Sequence, residues 1–375
     1  MNIGFDGKRA ANNLTGLGNY SRSLILQLSS FFHQNQYFVY SPKVKDNKQI
    51  SAFLKPGNIH LKLPEKSGFS FLWRSFGITK QLQKDQISIY HGLSNEIPFG
   101  LKNSPVKSIV TIHDLIFLRL PDTYKLIDRI IYNFKSKYAC QHADRILAIS
   151  EQTKKDIVEF YHTDPARIDV IYQTCDDSFK RQLDQEVKDK IRARYNLPPQ
   201  YILSVGTIEP RKNLMLIIEA LSAVPSDIRL VVVGKKTAYA DDVAAAIKSF
   251  NLQQRVLFLQ DIPFADLPGI YQLASLFVYP SFYEGFGIPI IEALYSSVPV
   301  IAATGSCLEE AGGPYSLYVN PNNALELSQA INHVIHNPAQ ARLMIAKGSA
   351  FVQRFNTEIL ARQLMDCYLN MHPKS

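Results

Sequence analysis

The chain has 375 residues, 46% of them hydrophobic, which is more than one ordinary core accommodates and points to two globular domains. No apolar run approaches the roughly 18 residues that a spanning helix needs, and MNIGFDGKRAANN lacks the apolar stretch of a signal peptide, so a cytoplasmic location is expected. Cys140, Cys175, Cys307 and Cys367 form no C-x-x-C pair and read as reduced packing residues, and the net charge of +8 comes with no nucleic-acid-binding motif.

Taken in order, short apolar runs of strand length alternate with longer amphipathic segments. NIGF is followed by a helical stretch from Tyr20 to Phe32, then by YFVY, ISIYHG, SIVTIHD and RILAIS. Runs this apolar belong in parallel sheets covered by helices on both faces. The rhythm breaks at DDSFKRQLDQEVKDKIRARYNLPPQ, polar and closed by Pro198-Pro199, which reads as a linker with one solvated helix. It restarts at YILSVG and runs through RLVVVG, RVLFLQ, SLFVYP and VPVIA. The expected fold class is α/β, with two Rossmann-like, doubly wound parallel-sheet domains facing across a cleft at the carboxyl ends of their strands. The expected boundaries are 1–175 for an N-terminal domain, 176–199 for the linker, 200–355 for a C-terminal domain, and 356–375 for a last helix that can pack back on the first domain.

The stretch YPSFYEGFGIPIIEALYSSVPVIA, residues 279–302, carries the densest chemistry. Pro280 stops the preceding strand, SFYEGFG is a loop, and Pro289 suits the first turn of a helix. The amides of Gly285, Phe286, Gly287 and Ile288 are then available to phosphate oxygens or sugar hydroxyls. Glu284 sits in the loop and Glu292 about one turn into the helix, so the two reach different parts of one extended ligand. Carboxylates also favour a helix N-terminus for electrostatic reasons alone. Glu292, however, lies among Ile290, Ile291, Ala293 and Leu294, where an unpaired charge is costly and a polyhydroxyl partner would satisfy it.

The EGFGIPIIE pattern resembles the signature of retaining glycosyltransferases of family 4, the group 1 enzymes with the GT-B fold, and the likeness extends over nearly the whole chain. SVGTIEPRKNLMLIIEAL, residues 204–221, is similar to the family's donor-phosphate loop, which implies Gly206, Arg211 and Lys212 beside a nucleotide-sugar diphosphate. Many members carry Arg directly after the strand-ending glycine; here Thr207 follows Gly206, and Arg211 is expected to supply the guanidinium. TIHDLIFLRLPDTY resembles the segment that brings His113 to the donor sugar near its anomeric carbon; without the family, a His-Asp pair after a strand is equally a satisfied loop histidine. TGLGNYSRSLILQL resembles the glycine-rich loop after the first strand, with Gly16 and Gly18 next to diphosphate and acceptor; its G-x-G-x-x-S is not a complete dinucleotide fingerprint. In GSCLEEAGGPYSLYVNP the likeness places the amides of Ser306 to Leu308 near phosphate or ribose, with Glu309 where proline is frequent. ADRILAISEQTKKDI and VIYQTCDDSF also match, the second carrying Gln173-Thr174-Cys175-Asp176 where Asn-Gly-Val-Asp is commoner.

The resemblance implies transfer of a hexose from a nucleoside-diphosphate sugar to an acceptor hydroxyl with retention, without cofactor or essential metal, and the sequence holds no D-x-D motif. Arg211 and Lys212 would neutralise the departing diphosphate, Glu284 would hold the sugar's 3- and 4-hydroxyls, and Glu292 the ribose. Likeness to mannosyltransferase-type members makes GDP-mannose the first choice of donor; a UDP-sugar donor and a non-enzymatic sugar-nucleotide-binding protein are the alternatives. Residues 1–175 hold 23 Lys and Arg against 14 Asp and Glu, whereas residues 176–375 hold 18 against 19. That imbalance suits a glycan or lipid-linked glycan acceptor and peripheral contact with an anionic membrane. Arg74, Lys80, Lys125, Arg129, Lys135 and Lys137, interleaved with Phe71, Trp73, Ile130 and Phe134, would make such a surface. Two ordinary amphipathic helices with wet basic faces would give the same pattern.

Overall fold

The computed structural model describes residues 1–14, 16–64 and 73–371. It divides into two compact units, one of residues 1–172 with the segment from Thr357 onward, the other Gln173–Asn356. The first is built on a seven-stranded sheet ordered β3-β2-β1-β4-β5-β6-β7. Its strands are β1 (Asn2–Asp6), β2 (Gln36–Tyr40), β3 (Ile59–Lys62), β4 (Ile89–Gly92), β5 (Lys107–Ile112), β6 (Arg145–Ala148) and β7 (Ile168–Val170). All pairings are parallel; Ile3 lies opposite Tyr37 on one side and Ile89 on the other. Parallel pairing requires helical crossovers, which explains why β4 is buried at every position, His91 included.

Helix α1 (Gly16–Phe31) follows β1 and buries Ile25 and Leu28 in the sheet's core. The glycine stretch read as a loop is therefore the first turn of this helix. Gly18 is required there because a Cβ would come within 1.9 Å of the Asn13 carbonyl oxygen, whereas around Gly16 there is open space. Helix α2 (Leu126–His142) buries Ser136, Ala139 and Cys140.

The second unit carries a six-stranded sheet, ordered β10-β9-β8-β11-β12-β13 and again all parallel. Its strands are β8 (Tyr201–Val205), β9 (Arg229–Val233), β10 (Val256–Leu259), β11 (Leu276–Tyr279), β12 (Val300–Ala303) and β13 (Leu317–Val319). Strand order reverses at β8, which pairs with β9 on one side and β11 on the other. Helix α3 (Leu214–Leu221) follows β8, and α4 (Ile288–Tyr295), with Pro289 in its first turn, follows β11. Apolar residues of α3, among them Leu214, Ile217, Ile218 and Leu221, join Ile202, Leu230, Leu276 and Ile301 in one core.

The segment 176–199, read as a linker, packs on this second unit. Phe179 is buried with its ring 5.4 Å from Tyr271, and Ile191 of the helix Gln185–Tyr195 sits so close to Gly269 that a Cβ there would meet it at 2.3 Å. The last helix, α5 (Thr357–Met371), belongs to the first unit. Its Leu364, Met365 and Tyr368 join the core of that sheet, and the Tyr368 hydroxyl lies 2.7 Å from His91 Nδ1.

Arg74, grouped by sequence with surface cations, is buried: its Nη1 is 2.6 Å from Asp6 and 2.7 Å from Glu96. Asp6, the buried last residue of β1, and Glu96, four residues beyond β4, draw it in, since a carboxylate buried like Asp6 needs a partner. Lys135 joins them at 2.8 Å from Glu96, and Trp73 lies against Tyr40 with ring centroids 6.4 Å apart. Phe71 lies outside the described residues. Among those residues no helix is long and apolar enough to cross a membrane.

Candidate active site

The reversal of strand order in the second sheet opens a crevice beyond the carboxyl ends of β8 and β11, the place where open α/β sheets take ligands. Gly206 ends β8 with φ of +152°, and the methylenes of Lys212 lie 3.6–3.9 Å from where its Cβ would be. A single turn, Pro210–Lys212, then leads into α3 through Asn213, which adopts a left-handed φ of +56°. Asn tolerates that conformation, and its Nδ2 donates to the carbonyls of Pro280 at 3.1 Å and Pro321 at 2.7 Å. One side chain thus ties the turn after β8 to the loop after β11.

This tie brings Arg211, Lys212 and Glu284 together. Lys212 Nζ is 2.6 Å from Glu284 Oε1, and Arg211 Nη1 is 2.7 Å from Oε2. Arg211 also reaches Glu209 at 2.6 Å and the Tyr283 carbonyl at 2.8 Å. Lys212 donates to the Tyr279 hydroxyl, which lies 3.2 Å from Glu284 Oε1. Burial acts to raise the Glu284 pKa, but the charges of Lys212 and then Arg211 outweigh it and hold the carboxyl below its usual range. For Lys212, burial works against the charge, yet Tyr279 and Glu284 push its pKa up to about 12. The cluster holds two fixed cations in a water-poor setting, where they act on a neighbouring anion far more strongly than in bulk water.

The loop behind Glu284 is shaped by close packing. A Cβ on Gly287 would meet that of Ala311 at 2.8 Å, which brings the start of α4 against the helix Leu308–Gly312. Phe286 is buried with its ring 5.5 Å from Phe355, and Cys307 Sγ lies 3.1 and 3.2 Å from the carbonyl oxygens of Glu284 and Phe286. Gly285 stands between Glu284 and this packed pair, and Ile288 opens α4. Leu308 is fully buried. Ser306 Oγ is buried with no hydrogen-bond partner among the described residues. Glu292 stands apart from the cation cluster. Tyr271 donates to its Oε2 at 2.8 Å, and burial raises its pKa to about 7 despite that bond.

His113, Gly16 and Gly18 belong to the first unit. His113 follows β5, its Nε2 lies 2.8 Å from the Leu93 carbonyl oxygen, and Tyr20 of α1 meets its ring edge-on at 4.7 Å. Burial lowers its pKa to about 4, so the imidazole is neutral at physiological pH. Sequence reading missed Asn213, Tyr279 and Glu209. The first could have been sought as the residue between PRK and an apolar helix, a usual place for a cap or turn residue. Among the described residues no three His, Cys, Asp or Glu side chains converge as a metal site would require.

Two family models match the chain: "Glycosyltransferase Family 4" over residues 14–179 and "Glycosyl transferases group 1" over residues 187–350. Among curated relatives, the O-antigen chain mannosyltransferase B of Escherichia coli is 28% identical over 372 residues, covering 95% of this chain and 96% of the relative. The O-antigen chain mannosyltransferase RfbU of Salmonella typhimurium is 30% identical over 230 residues, 61% of each chain. Among solved structures, a glycosyltransferase from Rickettsia africae superposes with a TM-score of 0.78 at 19% identity, covering 100% of this chain and 99% of the other. Anabaena HepE in complex with UDP and glucose gives 0.77 at 16% identity, covering 99% and 100%. The matched models, the full-length relative and the two parallel sheets agree that the chain belongs to glycosyltransferase family 4, among the group 1 glycosyltransferases of the GT-B fold.

Proposed function

We propose that the chain transfers mannose from GDP-mannose to a hydroxyl of a glycan or lipid-linked glycan, with retention of anomeric configuration and without a metal ion or cofactor. The observation that carries this reading is the cluster of Arg211, Lys212 and Glu284 at the strand-order reversal of the second sheet. The choice of mannose draws on the O-antigen mannosyltransferases to which the chain is similar. In this reading the second unit binds the donor and the first the acceptor. The bond between the anomeric carbon and the leaving phosphate oxygen breaks while the acceptor oxygen bonds to the same face of that carbon. The acceptor proton passes to the departing diphosphate, whose charge Lys212 and Arg211 take up. Glu284 orients sugar hydroxyls, Glu292 accepts from the ribose, and neutral His113, whose Nε2–H is given to the Leu93 carbonyl, offers the lone pair of Nδ1 to the sugar's 6-hydroxyl or to positive charge near the anomeric centre. The acceptor is met at the inner face of the cytoplasmic membrane.

The test is a thermal-shift comparison of GDP, UDP and their hexose conjugates, followed by a transfer assay with EDTA present and product anomer assigned by NMR. Stabilisation by GDP and an α-linked mannoside from GDP-α-mannose are expected. Stabilisation by UDP alone would replace mannose with a UDP-sugar, and an inverted product would overturn the same-face reaction. Nucleotide binding with no sugar transfer to any offered glycan would make the chain a sugar-nucleotide-binding protein.

A further inference from the structure

The strand order of the first sheet also reverses, between β1 and β4, and the corner beyond their carboxyl ends holds polar groups that the reaction proposed above does not use. Tyr90 of β4 lies opposite Gly4 of β1, and its ring packs with Tyr40, Ile78 and Leu82 in a small core. The residue is fully buried, yet its hydroxyl has no hydrogen-bond partner among the described residues. A buried hydroxyl left unpaired is costly, so such a group calls for a ligand or an ordered water to complete it. Together with Asp6, Arg74, Glu96 and Lys135, Tyr90 lines a cavity of about 20 Å³. That is room for one water-sized group. Burial, and then the negative charge of Asp6, push the Tyr90 pKa well above its ordinary value, so the phenol keeps its proton and can donate.

The charged groups around the cavity are only partly used. Arg74 reaches Asp6 and Glu96 through Nη1 alone, so its Nε and Nη2 have no hydrogen-bond partner among the described residues. Glu96 meets Arg74 at Oε1 and Lys135 at Oε2, one bond to each oxygen, where a carboxylate accepts about four. Phe99 and Tyr138 complete the lining, their rings edge-to-face at 4.5 Å. Spare donors and acceptors beside two aromatic rings suit a pyranose, whose hydroxyls bond in the plane of the ring while its C–H faces are apolar. We propose that this corner is the subsite for a sugar of the acceptor glycan. One hydroxyl enters the cavity between Tyr90 Oη and the Arg74–Glu96 pair, and the sugar ring lies on Phe99 and Tyr138. Sugar binding stands on this geometry; its use as the acceptor subsite rests on the function proposed above.

Trp73 is the single tryptophan and directly precedes Arg74, so its fluorescence reports on this corner. The test is a fluorescence titration of the full chain, without donor, with methyl α-mannoside, methyl β-N-acetylglucosaminide and, separately, inorganic phosphate. A saturable response to at least one glycoside and none to phosphate is expected. Tyr90→Phe should raise the Kd for that glycoside about 10-fold, the worth of one hydrogen bond. It should melt as the parent does, because the hydroxyl it removes has no protein partner. Lys135→Met, which leaves Arg74 on both carboxylates, should weaken the same glycoside by a similar factor. In transfer assays both variants should raise the acceptor KM by that factor and leave the donor KM alone. A Tyr90→Phe chain that melts lower yet binds the glycoside like the parent would give the cavity to a structural water and overturn the proposal. So would a response to phosphate alone, which would make the corner an anion site, or no response to either glycoside. Transfer whose acceptor KM is indifferent to Tyr90→Phe would refute the subsite alone. Glycoside binding that needs Tyr90, in a chain that transfers no sugar, would refute the function alone.

Discussion

Replacing Lys212 by Met removes one of two cations from a buried carboxylate and separates structural from chemical roles. A buried charge stripped of its partner costs roughly 3–5 kcal/mol. Here Arg211 remains 2.7 Å from Glu284 Oε2, so about 2 kcal/mol is expected. For a unit the size of Gln173–Asn356 that is a drop in Tm of about 4–8 °C, at roughly 2–4 °C per kcal/mol. Turnover should fall much further, by about 10²–10³-fold, as when one donor to a developing negative charge is removed. Adding Glu284→Gln discharges the carboxylate and should recover most of the lost Tm but none of the turnover. Differential scanning fluorimetry and nucleotide release measured on the same preparations read both quantities. Near-parental turnover in Lys212→Met, or recovery of turnover in the double variant, would refute a leaving-group role for Lys212.

Glu292 gives a pH prediction. Its folded pKa of about 7 lies above the ordinary 4.5, so the folded state holds the proton more tightly and stability attributable to this group falls as pH rises from about 4.5 through about 7. Glu292→Gln should flatten the Tm-against-pH curve over that window; an unchanged slope would show that the group ionises normally. Glu284 has the opposite sign, because its folded pKa is depressed. Its contribution is present above the ordinary value and is lost as pH falls through the folded one, so Glu284→Gln should unfold less steeply in acid. Asn213→Ala removes two hydrogen bonds and places Ala at φ of +56°, for a loss of about 2–4 kcal/mol in urea unfolding. Asn213→Gly should lose less, since only the bonds go. Arg74→Leu leaves Asp6 buried without its cation, while Glu96 keeps Lys135, and should destabilise the first unit by about 3–5 kcal/mol, with partial recovery on adding Asp6→Asn; a neutral Arg74→Leu would contradict its burial as an ion pair.

The alternation of strand and helix was legible because parallel strands are covered on both faces, which writes them as unbroken apolar runs such as LFVY and VIAA. The placement of Glu284 next to Gly285 and Gly287 was legible for a local reason, the Pro289 that starts α4. What sequence could not convey depends on distant partners. Arg74 reads like any cation in an amphipathic stretch, and Asp6, 68 positions away, together with Glu96, 22 positions away, makes it a buried one. Glycine is a poor helix former, so the start of α1 at Gly16 was hidden, and packing of Gly18 on the Asn13 carbonyl overrides that preference. The periodicity of LIDRIIYNF announces an apolar face without saying whether it is covered, and among the described residues Leu126, Ile127, Ile130, Ile131 and Phe134 are exposed. Likewise, Glu284 and the two cations were read as separate ligand contacts, because nothing local reports that they neutralise one another.

The return of α5 to the first sheet has a consequence for biosynthesis. Leu364, Met365 and Tyr368 belong to a core whose strands end at Val170. The ribosome therefore finishes that sheet and goes on to make the whole second unit before supplying the residues that seal it. The delay is roughly 200 residues, about 10–40 s at ordinary elongation rates. Until then His91 is without its Tyr368 partner and the apolar surface around it is uncovered. The nascent chain then carries an incomplete unit behind a complete one, an interval in which chaperone engagement has a defined target.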